Sequence, residues 1–277
     1  MKRILLAMLC TITLHSFGQK LPDVQVASMS APDRIRIDGK ANEWNDAYAA
    51  ENKRTEVFYS IANDDKNLYL VLKAGNSSVT NKIMLGGVTF TLNTQGKKRE
   101  KDAYAITYPL VPRSRNQGAR GQGQGQGQRM GNFGGQRNAQ TQQQRDSASL
   151  IQRKNALTTV KEIRVTGFKA IADSLVSIYN EYGLKAVANI DQKGNLIYEL
   201  AIPLQLLELT PGDSRELQYQ IRLNGLSLSN GSGGGETFVV GGGSNRGGAM
   251  RGNGGGQNFQ DLMSPTDFWG KYTLFKK

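Results

Sequence analysis

The sequence predicts an all-β protein: an antiparallel β-sandwich interrupted by two long, disordered glycine-rich inserts. Three observations carry this. Apolar residues recur at every second position in several short runs, as they do in strands with one buried face. Turn-forming clusters separate these runs. Two low-complexity stretches hold too few large apolar residues to offset the entropy of ordering them.

In chain order, Val57, Tyr59 and Ile61 form the first run, and Leu68, Leu70 and Leu72 form the second after the turn Asn63-Asp64-Asp65-Lys66-Asn67. This is a hairpin signal. Val88, Phe90 and Leu92 alternate with Thr89 and Thr91, and Tyr104, Ile106 and Tyr108 follow beyond the basic turn Gly96-Lys97-Lys98-Arg99. Leu184 to Ile190 and Leu196 to Ile202 flank Asp191-Gln192-Lys193-Gly194-Asn195 as a second hairpin, and Tyr219, Ile221 and Leu223 give one more strand. Helix is expected only as a turn or two after Asp146 and as a short piece from Pro203 to Leu207. Many short strands with little helical periodicity are the pattern of a sandwich.

The inserts are expected at about 113–146 and 229–260. The first is almost entirely Gly, Gln, Arg and Asn, with Arg113, Arg115, Arg120, Arg129, Arg137 and Arg145 and no acidic residue before Asp146. The second repeats glycine triplets around Thr237-Phe238-Val239-Val240. Both suit surface loops, where added length costs little closure entropy.

Lys2 and Arg3, the apolar stretch Ile4–Leu14 and the small residues Ser16 and Gly18 have the order of a signal peptide. Residues 1–18 are therefore expected to be removed near Gly18, leaving 19–277 as a single sandwich domain, secreted or periplasmic, with no transmembrane segment. Cys10 lies within the apolar run and lacks the small residues that a lipoprotein cut requires. Cys10 and His15 are the only Cys and His in the chain, and both would leave with the signal. The mature chain then has no disulfide, thiolate nucleophile, His base or Cys/His zinc site, so neither a cofactor nor a metal is expected. The formal charge of +12 would fall to +10 and still favour anionic partners.

Ile37-Asp38-Gly39-Lys40-Ala41-Asn42-Glu43-Trp44, then Tyr59 to Leu72 with Asn67-Leu68-Tyr69-Leu70, then Tyr198-Glu199-Leu200-Ala201-Ile202-Pro203-Leu204, resemble in order three signatures of the family 9 carbohydrate-binding modules, sandwiches of the wider DOMON type. Ser264 to Tyr272 is similar to that family's last strand. The resemblance covers roughly residues 33–75, 195–208 and 264–275. It implies a family-9-type sandwich, a non-catalytic role and a glycan partner, and it assigns none of the loop aromatics that grip sugar.

Read from the residues themselves, Asp38-Gly39 is a turn, and Trp44 folds back beneath the first strand to close one end of the core. Trp269 is read as core by the same reasoning. Tyr179, Asn180 and Tyr182 are the candidate ligand-binding residues, because a polar and aromatic loop can stack on a sugar and hydrogen-bond its hydroxyls. Asp64-Asp65 lacks the spacing of a calcium loop. Glycoside hydrolysis needs two facing carboxylates. Of Asp38, Glu43, Asp191 and Glu199, the first and third occupy turns, and Glu199 is expected on the solvent face because Tyr198 and Leu200 point the other way. No enzyme is expected. The Arg-Gly stretches contain few aromatics for stacking, and export leads away from cytoplasmic RNA, which argues against nucleic acid. Two functions are left: a binding module for a glycan, or a structural and interaction protein whose Arg-, Gly- and Gln-rich inserts contact anionic polymers or envelope partners.

Overall fold

The computed structural model describes residues 20–112, 142–226 and 256–276. The expected signal peptide, most of the first insert and residues 229–255 of the second lie outside them. The described residues form two antiparallel sheets around a shared core, as the alternation predicts. One sheet has five strands in the order β1-β2-β3-β9-β8: β1 (Ala50–Asn52), β2 (Val57–Asn63), β3 (Asn67–Ala74), β9 (Leu196–Pro203) and β8 (Lys185–Ile190). The other has six in the order β11-β10-β4-β5-β6-β7: β11 (Thr266–Tyr272), β10 (Leu217–Leu223), β4 (Val88–Asn93), β5 (Tyr104–Tyr108), β6 (Glu162–Thr166) and β7 (Leu175–Ser177).

The hairpin turns follow from their side chains. Asp64 Oδ1 accepts the N–H groups of Lys66 and Asn67, both at 2.7 Å, and Asp191 Oδ1 accepts those of Lys193 and Asn195, both at 2.8 Å. Each aspartate replaces backbone partners that the reversing chain loses. The core takes alternate residues from both sheets, with Tyr59, Leu70, Tyr198 and Leu200 from one and Phe90, Ile106, Tyr219 and Ile221 from the other.

Helix is more extensive than the sequence predicts. Helix α1 (Ser77–Gly86) follows Asn76, whose side chain accepts the Ser78 N–H at 2.8 Å as an N-cap. Helix α2 (Gln142–Thr158) runs to 17 residues, where a turn or two after Asp146 was expected, and it begins inside the stretch assigned to the first insert. Leu157 near its end is buried in the core and Leu150 packs against it. Helix α3 (Gly256–Met263) likewise begins within the expected second insert. The short piece after Pro203 is a 3-10 turn, Leu204–Leu207. Leu226, where description stops, donates its N–H to Leu262 O at 2.7 Å, so the chain returns to the point it left.

A second, smaller apolar layer lies on the outer side of the five-stranded sheet. Tyr69, Val71, Ile197 and Ala201 point outward from β3 and β9 and are covered by the strap of residues 31–48, which contributes Ile35, Ile37, Ala41 and Trp44. Trp44 is buried, as expected, but in this layer and not at the end of the main core. Trp269 faces outward from β11 and is only half-buried, because Phe268, Gly270 and Tyr272 take the inward positions.

Candidate functional site

Where the strap crosses the five-stranded sheet, it leaves an open cleft of about 850 Å³. One wall is Ile35, Arg36 and Ile37 of the strap. The floor is Tyr69 and Ala201, and the far side is the 181–185 segment that enters β8. Gln205 and Thr210 close the end beyond Pro203. Four segments distant in sequence meet there because β3, β8 and β9 are neighbours and the strap lies across them.

Tyr69 is fixed at the floor. Its hydroxyl donates to Asp64 Oδ2 at 2.9 Å and accepts from Asn67 Nδ2 at 3.1 Å, and burial followed by the bond to Asp64 pushes its phenol up to about 12. Asp64 is therefore occupied on both oxygens by its own hairpin. Around the rim stand Arg36, Asp65, Lys66, Glu181, Lys185 and Gln205, all exposed. The cleft thus offers a half-buried ring at Tyr182 beside amide, carboxylate and cationic groups, the mixture a polar ligand with one flat apolar face would use.

The three residues singled out from sequence have different fates. Tyr182 lines the cleft and packs partly against the main core. Tyr179 is 80% exposed and stands outside the lining. Asn180 is a brace: its Nδ2 donates to Ser177 O and Leu184 O, both at 2.8 Å, and its Oδ1 accepts the Leu184 N–H at 3.2 Å. The segment is not a hairpin tip. It carries the chain from β7 in one sheet to β8 in the other. Sequence reasoning missed Arg36, Lys185 and Gln205, and no local pattern marks them.

Glu199 corrects a second expectation. It does point away from Tyr198 and Leu200, but the strap covers that face and leaves it 1% exposed. Its Oε2 accepts the N–H of Asp38 at 3.1 Å and of Gly39 at 2.6 Å, while its Oε1 is buried without a partner. Burial raises its carboxyl pKa; the two backbone bonds pull the other way, and Asp38 and Glu43 add a smaller upward push. The other carboxylates considered for hydrolysis are also engaged. Asp38 accepts its own turn's Lys40 N–H, Glu43 meets Arg36 at 3.5 Å, and Asp191 holds the β8–β9 turn.

No protein-family model matches the chain, and no curated protein matches it. Among solved structures, the chain is similar to a carbohydrate binding module of family 9 from Caldicellulosiruptor kristjanssonii, solved in complex with glucose. The identity is 8%, the match covers 91% of this chain and 96% of that one, and the TM-score is 0.39. At that score the likeness carries nothing for the site, which rests on its own geometry.

Proposed function

We propose that this chain is an exported, non-catalytic module that binds a glycan in the cleft beneath the strap. The observation that carries this reading is the pairing, in one cleft of about 850 Å³, of the half-buried Tyr182 ring with hydrogen-bonding side chains of both charges. That volume falls within the range of small-molecule sites, and an aromatic face beside polar groups suits a sugar ring, whose faces are apolar and whose edges are hydroxylated. The engagement of Asp38, Asp191 and Glu199 in turns and backbone bonds supports binding without hydrolysis. A glycan array followed by calorimetry on residues 19–277 tests the reading. Tyr182→Ala should weaken the best ligand at least tenfold when measured well below the variant's own melting temperature, which falls because the ring also packs partly against the core, and equal affinity would remove the cleft from consideration. Export is tested by the mass of the protein from its host, which should begin at Gln19.

A second reading is favoured by the run of arginines from Arg113 to Arg145, which contains no acidic residue. In it, the inserts hold anionic polymers by exposed charge. Such contacts weaken as salt shortens the Debye length to ~8 Å at physiological strength, whereas stacking on a sugar responds little. Retention on an anionic polysaccharide that disappears on deleting 114–141 would favour this reading over the cleft.

A further inference from the structure

We infer that Glu199 is a proton-sensitive latch that holds the strap, and with it one wall of the cleft, against the five-stranded sheet. Among the described residues, the only hydrogen bonds that tie residues 32–40 to that sheet are the two that Glu199 receives from Asp38 and Gly39. The other polar contacts of this stretch stay within the strap: Lys40 N–H to Asp38, Lys40 Nζ to Asp38 at 3.5 Å, and Arg36 to Glu43. Gly39 makes the close approach. It sits at φ +77°, and a Cβ there would lie 2.7 Å from Asn189 Cβ on β8, so the turn presses directly onto the sheet beside Glu199.

The same carboxylate that fastens the strap is poorly placed to carry charge. One oxygen is satisfied twice and the other not at all, in a site closed to water. The charged groups around it do not compensate. Asp38 and Glu43 face it from the strap, both acidic, and Tyr48 lies near enough for Glu199 to raise its phenol. On β3 its partner in register is Val71, and the neighbouring Lys73 is taken by Asp46 at 2.6 Å. On β8 its partner is Val187, with Asp191 beyond the strand end.

The direction of the effect follows. The closed strap keeps a proton on Glu199 to a higher pH than an opened strap, in which water solvates the carboxylate and restores its ordinary value of 4.5. Between these two values, opening releases a proton, so it becomes easier as pH rises and levels off once the closed form is ionised as well. Acid closes the wall formed by Ile35, Arg36 and Ile37, and a more alkaline medium loosens it. The consequence for ligand rests on the cleft being the binding site. The latch itself does not, so the two can fail separately.

Hydrogen exchange read by NMR on the full chain, without ligand, tests the latch. Protection factors of the Asp38 and Gly39 amides should fall as pH rises above 4.5, by up to about tenfold per unit, and should lie below that of Ile221 in β10 at every pH, because the strap opens without unfolding the sandwich. Glu199→Gln keeps an oxygen for both amides and removes the titration, so it should stay protected with a flat profile. A flat profile in the natural chain overturns the latch, as does a Gln variant that retains the slope or an Ile221 amide no better protected than the other two. Should the Gln variant not fold, the natural chain's profile decides alone.

Discussion

The phenol oxygens of Tyr59 on β2 and Tyr219 on β10 lie 2.8 Å apart in the middle of the sandwich, one from each sheet. Tyr59 also accepts the N–H of Gln25 at 2.9 Å, so a chain of polar contacts runs from the N-terminal segment through the core. Room for Tyr219 is made by its partner in register, Gly270: a Cβ there would come within 2.3 Å of the Tyr219 hydroxyl and ring. Tyr59→Phe takes the 2.9 Å acceptor from the Gln25 amide and leaves that amide and the Tyr219 hydroxyl only each other, and should cost about 1 kcal/mol or more, whereas Tyr219→Phe leaves Tyr59 its bond to Gln25 and should cost less. Urea unfolding of the two single variants and the double variant reads this. Equal losses for the two singles would contradict the order of dependence.

Trp44→Ala should cost about 3–5 kcal/mol, the usual penalty for emptying a buried aromatic site. The indole is 5% exposed and fills the layer between strap and sheet. Thermal melts followed by circular dichroism give the loss, and a change near zero would place the ring in solvent.

Alkaline stability should carry the signature of Tyr69. Its phenol is held at about 12 in the folded state against an ordinary 10.0, because burial disfavours the charged form. Between these values the folded chain keeps a proton that the unfolded chain has released, so stability is intact below pH 10.0 and falls as pH climbs towards 12. Tyr69→Phe has no such proton and should show a shallower decline over that window in denaturant titrations.

Deleting residues 114–141 and joining the ends with a short flexible linker should leave the melting point nearly unchanged, since a few halvings of loop length alter closure entropy by only about 1–2 kcal/mol. Extending the deletion through α2 to residue 158 removes Leu157 from the core and should cost about 2–5 kcal/mol more. Matching melts for the two deletions would mean that α2 adds nothing to the core.

The strands were legible where their signal is local. Val57 to Leu72 carries its alternation and its Asp64 turn within a span of consecutive residues, and the strands pair in that register. Helix α1 escaped because Val79, Thr80 and Ile83 are β-branched and read equally as strand, although Asn76 carries an N-cap signal. The side of the sheet to which Glu199 points was readable from Tyr198 and Leu200. Its burial was not, because the covering Asp38-Gly39 turn lies 160 positions away. The cleft was illegible for the same reason: Arg36, Asn67, Tyr182 and Gln205 meet only through strand order, and of the four only Tyr182 was a binding candidate from its local pattern.

The bond from the Leu226 amide to Leu262 O works as a clasp. β10 and β11 pair along their whole length from Leu217–Tyr272 to Leu223–Thr266, and the clasp sits just past the last pair, so the two chain exits, Leu226 and Gly256 at the start of α3, are positioned by the sheet and that helix together. Whatever is spliced between them meets the same pair of anchors. The site is therefore a natural port for grafting: an epitope, a fluorophore-labelling tag or a second domain placed between 227 and 255 would be displayed from the sheet end without asking either strand to shift.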